Sequence, residues 1–579
     1  MASRRGIPIL IVVLAVLGAA VLSAVLLMRT PAPVPRMPTV LVLRVPTELE
    51  EAQPPSSGFS LAAFRPERPT LWDVVRSIDR AAGDDHIEAI VLHIGSVDWG
   101  WAKVAEVRGA LRRFRAAGKP VYAAFEGGEE KEYLLASVAG RVAVAPLATL
   151  GLDGLTASAM YLRGTFDKLD IHPNFAHVGQ YKSAVEGYTR TDMSEPARNA
   201  LQTLLDDEFR QLVDSLGAAR GLRADSVGRL IDLGPFTAAA SVRAGLADTV
   251  LYAEQVDSLA TRLGGKRRTA MRFERYIDDG DPIGPGARIA LVVASGAISG
   301  GRSQDSPMGG VVLGSETLIK ALRDAEDRGS VKAIVLRIDS PGGSAQASDE
   351  IWHEVVRARR RKPVIVSMSD LAASGGYYIA CAADSIVAQP GTITGSIGVF
   401  GGKLNLLGLY RKLGLNVVTV SKGRNAEMLS PFTDFTPEQE QRFQAQMQEV
   451  YGTFKSRVSA GRGLPDAAVD SIGQGRVWSG EAGRSIGLVD ALGGIDRALA
   501  MAREKAHLPR EEGLRVEVFP RPERTFWDWF FRGLARDDDN GQARVMALAF
   551  PPVMRAWVVA ADFPAGQALA LMPWSIQIR

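Results

Sequence analysis

The chain has 579 residues, 46% of them hydrophobic, a globular composition with enough apolar material for about three or four domains. Its 68 Lys and Arg nearly balance 65 Asp and Glu, and a net charge of +3 with no basic stripe argues against nucleic acid as a partner. Cys381 is the lone cysteine, which excludes an internal disulfide and a cysteine-built metal cage; its setting, YYIACAADSIV, predicts a small buried core residue.

Residues 1–6 carry Arg4 and Arg5, and Ile7 to Met28 follow as 22 residues without a charge, enough for a bilayer that needs about 20. The two arginines bias the leading end to the cytoplasm, an asymmetry weakened by Arg29 and Arg36. The body is therefore expected on the external, periplasmic side of the cytoplasmic membrane. Gly18–Ala20 is small enough for a signal-peptide cleavage site, but the apolar run continues eight residues past it, which favours an uncleaved single-pass anchor.

After a Pro-rich spacer, Pro31 to Pro38, TVLVLRV reads as a strand and residues 47–69 as an irregular excursion. The strand IEAIVLHI, a helix over AKVAEVRGALRRFRAAG and a strand at PVYAAF then alternate as in an α/β protein with a mostly parallel sheet. A long helix over 195–220 closes this unit. Asp278 to Gly286, DDGDPIGPG, packs Gly, Pro and Asp before a new β-rich run, ARIALVVA, and marks the main boundary. The second unit follows the same order through a polar helix at 437–462. The chain thus divides into an N-terminal repeat at 38–275, a C-terminal repeat at 286–505 and a tail at 506–579 with no counterpart in the first repeat. The tail holds FWDWFF at Phe526–Phe531 and a Pro-broken apolar stretch from Val545 to Trp574. Arg555 and Asp562 there argue against a second span and for interfacial contact or packing on another subunit.

The repeat itself is explicit. Residues 87–154 match residues 331–398 with an offset of 244 at Ala89/Ala333, Tyr133/Tyr377, Pro146/Pro390 and Gly151/Gly395, and a slip of one at Lys119/Lys362. A period this long is a duplicated domain, since solenoid units repeat every 20–50 residues or so. The copies diverge where chemistry is plausible. Ser374 in AASGG stands against Glu130, and Lys182 in GQYKSA stands against Ala426. Each copy alone is incomplete.

Ser340-Pro341-Gly342-Gly343 directly follows an apolar strand, and the glycine pair permits a sharp turn that exposes backbone N–H groups able to bind an oxyanion. Read by itself such a turn is an ordinary strand-to-helix connection; the first copy has GSVDWGW there. Ser374 sits between a strand, VIVSMS, and an apolar helix, YYIACAA, among small neighbours, with the Gly375 N–H beside it. An N-capping serine and an accessible nucleophile both fit that setting. A serine nucleophile needs a base, and none of the six histidines, His86, His93, His172, His177, His353 and His507, falls at a matching repeat position. Lysine serves only if desolvation lowers its pKa from about 10.4 toward neutrality. Lys182, with uncharged Gly179, Tyr181 and Ala184 around it, is the candidate.

The SPGGS turn, LAASGGYYIA, PGTITGSIGV and GQYKSA together resemble the SppA type of signal peptide peptidase, a membrane-anchored Ser/Lys protease with a ClpP/crotonase-like fold. The long, duplicated form is the nearer likeness and covers about residues 40–505. The resemblance implies two tandem ClpP/crotonase-like α/β domains behind an N-terminal transmembrane helix, with Ser374 from the second copy as nucleophile and Lys182 from the first as general base and acid. It implies an oxyanion hole from Gly342, Gly343 and Gly375, and a secondary polar contact from Ser396 to the lysine. No cofactor or metal is implied. The implied partners are cleaved signal peptides and other apolar peptides, the lipid bilayer, and three further copies in a homotetramer, in which Lys182 reaches Ser374 either within one chain or across a subunit boundary. Two other classes compete: a catalytically silent membrane scaffold, against which the intact Ser374, Lys182 and turn glycines count, and a crotonase-type acyl-CoA enzyme, against which an external body counts.

Overall fold

A computed structural model describes residues 37–53, 68–262, 265, 267–277, 287–306, 310–509, 515–521, 567–572 and 577–578. The expected anchor at 7–28, the 278–286 boundary and FWDWFF lie outside these residues. Among the described residues no helix is long and apolar enough to cross a membrane.

Each repeat is built on a parallel sheet whose central strands are nearly continuous apolar runs, as burial on both faces requires. In the first the order is Thr269–Arg272, Thr39–Arg44, Ile87–Ile94, Val121–Phe125, Arg141–Val144, Thr249–Val250. In the second it is Arg515–Phe519, Arg288–Ser295, Val331–Ser340, Val364–Ala373, Ser385–Ala388, Ala491–Leu492. The orders coincide strand for strand. One consequence departs from the sequence reading, in which nothing after residue 505 had a counterpart: Arg515–Phe519 takes the edge position in the second sheet that Thr269–Arg272 takes in the first.

The duplication extends to individual polar contacts. The Lys119 ammonium donates to the Ala81 and Asp84 carbonyls, and Lys362 to those of Ala325 and Arg328. The buried Tyr133 hydroxyl donates to the Leu246 carbonyl and that of Tyr377 to Leu488. Helices Glu195–Arg220 and Pro437–Arg462 each have a hydroxyl cap, Ser194 or Thr436, a proline in the first turn and a left-handed glycine, Gly221 or Gly463, at the end.

The repeats are not beads on a string. Val335 and Ile365 of the second sheet, with Ile495, Ala498 and Leu499 of helix Ile495–Lys505, belong to the same apolar core as the first repeat. The opposite face carries helices Ser315–Asp327 and Ala345–Arg359 and the buried Tyr377 and Tyr378. Charge is also buried across the junction. Arg337, fully enclosed in strand Val331–Ser340, is bonded to Glu51 (2.9 Å) and Glu106 (2.5 Å), while Lys103 pairs with Asp339 (2.8 Å). Asp370 accepts from the Gly100 and Lys103 amides and so caps helix Trp101–Ala116 from the other repeat. Removing one member of such a set costs up to about 3–5 kcal/mol, because a buried charge is left short of a partner with no water to replace it.

A separate sheet completes the join. His172–Val178 of the first repeat lies antiparallel to Val399–Asn405 of the second, in register from Val178/Val399 to His172/Asn405. This pairing fixes where the chain beyond Val178 emerges.

Candidate active site

Four residues beyond Val178 stands Lys182. Gly179 turns the chain with φ 107°, the Tyr181 amide donates to the Gln474 carbonyl (2.8 Å) and the Lys182 amide to Gly179 (3.0 Å). The segment Gln474–Gly475 lies so close that a Cβ on Gly475, whose φ is 78°, would stand 2.6 Å from the Lys182 nitrogen of the main chain. Only glycine fits that crossing. Lys182 is consequently 1% exposed, and burial alone pushes its ammonium well below the ordinary 10.5.

Ser374 arrives from the other repeat, at the end of strand Val364–Ala373, where its amide donates to the Gly395 carbonyl (2.8 Å) and helix Gly375–Ala380 begins. Its backbone is left-handed, φ 56° and ψ −114°, a conformation that costs a non-glycine residue on the order of 1–3 kcal/mol and persists where surrounding structure enforces it. The turn aims Oγ at Lys182 Nζ, 2.8 Å away within the same chain. Nζ also lies 3.2 Å from the Ser396 carbonyl and 3.1 Å from Ser396 Oγ, and Ser396, with φ 51°, is fully buried. Among the described residues no carboxylate engages Nζ. Three oxygens therefore suit both protonation states: an ammonium has three protons for them, and a neutral amine has two, leaving its lone pair to accept the Ser374 hydroxyl proton. Of the histidines, His93 is bonded to Asp257 and His172 to Asp434.

Gly342 has φ 95°, and a Cβ there would come within 2.5 Å of the Gly375 nitrogen, so the SPGG turn runs directly past the Gly375 N–H. The Gly342 amide donates to Ser340 Oγ (3.2 Å), which donates in turn to the Gly296 carbonyl (2.7 Å). In the first repeat the corresponding ground is closed. Glu130, 2% exposed, accepts from the Asp153 and Gly154 amides, and its carboxyl is raised above the ordinary range chiefly by burial.

The structure thus brings together Lys182, Ser374, Ser396, Gly342 and Gly375, while Gly343, next in the same turn, packs on the Ile298 main chain. The profile of Peptidase family S49 matches residues 113–265 and again 357–509, one match per repeat and together more than half of the chain. The chain belongs to peptidase family S49. It is a serine peptidase of the long, duplicated SppA type, made of two tandem α/β domains. The chloroplastic serine protease SPPA of Arabidopsis thaliana is 35% identical over 452 residues, 76% of this chain and 67% of that one. Protease 4 of Salmonella typhi is 34% identical over 464 residues, 78% of this chain and 74% of that one. Among solved structures, a mutant of ClpP1 from Listeria monocytogenes is matched over 35% of this chain and 91% of that one, with 15% identity and a TM-score of 0.24.

Two contributors escaped the sequence. Gln474 and Gly475 hold the lysine loop through backbone contacts, and SIGQGRV carries no side-chain signature of that role. The charges around Arg337 and Asp339 did leave a signal, an Arg and an Asp inside VLRIDS, which as a buried parallel strand demanded partners. Gly475→Ala should displace the Lys182 loop while leaving the sheets intact. Peptide-ester hydrolysis is expected to fall about a hundredfold, as for a displacement near 1 Å of a reacting group, with near-UV circular dichroism unchanged.

Proposed function

We propose that this peptidase works by a Ser374/Lys182 dyad and degrades cleaved signal peptides and other apolar peptides. The observation that carries the reading is the 2.8 Å contact between Lys182 Nζ and Ser374 Oγ in a buried, carboxylate-free setting. Neutral Lys182 takes the Ser374 proton as Oγ attacks the peptide carbonyl. The Gly375 N–H with the Gly342–Gly343 turn receives the oxyanion. Collapse expels the amine, which leaves with the proton from Nζ; a water then gives its proton to Nζ, attacks the acyl ester and restores Ser374. Ser396 keeps Nζ in line throughout. A silent scaffold would have no use for a lysine so deprived of water, and an acyl-CoA enzyme does not fit the family.

Ser374→Ala should abolish peptide-ester hydrolysis and labelling by a fluorophosphonate. Lys182→Ala should lower kcat by about 10²–10⁴. Because burial depresses the Lys182 pKa and the neutral amine is the active form, kcat/KM should rise with pH through one deprotonation well below 10.5 and then level off. Full activity in Lys182→Ala would remove the dyad.

The homotetramer is supported by two segments that lack, among the described residues, the pairing their counterparts make with each other. With the 244 offset, the second-repeat counterpart of His172–Val178 is 416–422, which forms no strand; Val418 and Val420 there are 88% and 95% exposed. The first-repeat counterpart of Val399–Asn405 is 155–161, where Ala157–Ser158 pairs only with Gln577–Ile578 among the described residues. Pairing 416–422 of one copy with 155–161 of the next repeats the internal join head to tail, and such a contact closes into a ring when the rotation allows. Val418→Asp combined with Val420→Asp should convert a four-chain particle to smaller species in sedimentation velocity; an unchanged sedimentation coefficient would refute this edge.

Residues 7–28 anchor the body outside the cytoplasmic membrane in this reading, supported by their uncharged length and the preceding Arg4 and Arg5. A variant starting at Pro38 should cleave short peptides at close to the full-length rate and lose activity on bilayer-embedded signal peptides. Protease added outside spheroplasts should digest the body of the full chain, and protection until lysis would reverse the topology.

A further inference from the structure

The tail returns to the site. Leu569–Leu571 lies antiparallel on the glycine turn, with Gly342 opposite Leu571, Gly343 opposite Ala570 and Ser344 opposite Leu569, while its other edge meets Phe400. Main-chain bonds extend the pairing at both ends: the Ala345 amide donates to Ala568 (3.0 Å) and the Met572 amide to Pro341 (2.7 Å). The Gln567 amide group also donates to Ser344 Oγ (2.6 Å).

Two details fix what this strand is doing. The Ala570 carbonyl is the atom nearest the turn: a Cβ on Gly342 would come within 2.0 Å of it, and one on Gly375 within 3.0 Å. The side chains are buried beside the dyad. Met572 clusters with Tyr181, Leu204, Ala373 and Val477, and Leu571 with Val185 and Phe400. Tyr181 and Ala373 are the chain neighbours of Lys182 and Ser374. An extended peptide that adds to a sheet edge gains affinity from main-chain bonds and specificity from alternate pockets, and a peptide to be cut must bring a carbonyl to the oxyanion donors. Segment 567–572 makes the main-chain pairing and sets its Ala570 carbonyl against the Gly342 and Gly375 main chain.

We propose that residues 567–572, QALALM, are a tethered pseudosubstrate that closes the peptide groove, with Ala570 facing the oxyanion donors and Leu571 and Met572 filling apolar pockets. The inference rests on the Ser/Lys reading for calling this the substrate's place. An incoming peptide of the same chemistry, a small residue beside large apolar ones, has to displace the tail. The tail competes at the millimolar effective concentration of a tethered segment, and the apparent affinity for peptide falls by the fraction of chains with an open groove.

The test uses the full chain carrying Ser374→Ala, so that binding is read without turnover, and a fluorescein-labelled Ala-Leu-Ala-Leu-Met peptide. Saturating peptide should speed amide hydrogen exchange in 567–572 while slowing it in Gly342–Ser344. Adding Ala570→Glu, which puts a carboxylate where no water reaches, should expel the strand and tighten peptide binding about tenfold. A chain ending at residue 566 should do the same. With Ser374 restored, Ala570→Glu should lower KM for a short apolar peptide and speed fluorophosphonate labelling. Unchanged tail exchange together with no gain of peptide binding in either variant overturns the inference. Tighter binding without labelling in any Ser374-containing chain would leave the groove assignment standing and remove the dyad instead.

Discussion

The antiparallel pairing of His172–Val178 with Val399–Asn405 is the constraint on which the rest depends. A lysine side chain is long and flexible, and fixing it in one rotamer away from water costs about 2 kcal/mol of entropy before desolvation is counted. The sheet meets that cost by delivering the backbone within four residues of its destination. The Gln474–Gly475 crossing then removes the remaining freedom. The Lys182–Ser374 contact is therefore a property of how the repeats are joined, and neither repeat contains it.

Divergence between the copies follows the same logic. Contacts that tie a helix to the rest of its repeat, such as Tyr133 and Tyr377 on the carbonyls of Leu246 and Leu488, are kept in both. The positions proposed to serve chemistry differ between them. Glu130 satisfies two amides at the place where Ser374 offers a hydroxyl, so the first repeat has turned the site into a closed structural knot. Its surface toward the partner repeat supplies Glu51 and Glu106, which bind Arg337, and it receives Asp370 as the cap of one of its helices.

Much of this was legible. The repeat showed itself through matching strands, and the reciprocal replacements Ser374/Glu130 and Lys182/Ala426 pointed to a divided site, because loss in opposite copies is hard to reconcile with a merely structural role. The glycines of SPGG were visible because only their type tolerates φ near 95°. What stayed hidden is carried by backbone. The edge strand Arg515–Phe519 and its counterpart Thr269–Arg272 share almost no side chains, since an edge position asks only for an extended main chain. Leu569–Leu571 pairs through peptide groups with a turn more than 220 residues earlier, and no local pattern records that. Whether Lys182 reaches Ser374 within one chain was likewise a matter of topology.

Under the proposed Ser374/Lys182 reading, dividing the dyad between repeats also sets its timing. Lys182 and Ser374 are 192 residues apart, and the strand that aligns the lysine, Val399–Asn405, is later still. At a translation rate of roughly 5–20 residues per second, the lysine precedes the serine on the ribosome by about 10–40 s. On that reading the growing chain holds throughout that interval the proposed base without the proposed nucleophile. A polypeptide abandoned anywhere before the second repeat would be equally inert, so premature termination would yield fragments that cannot attack their surroundings.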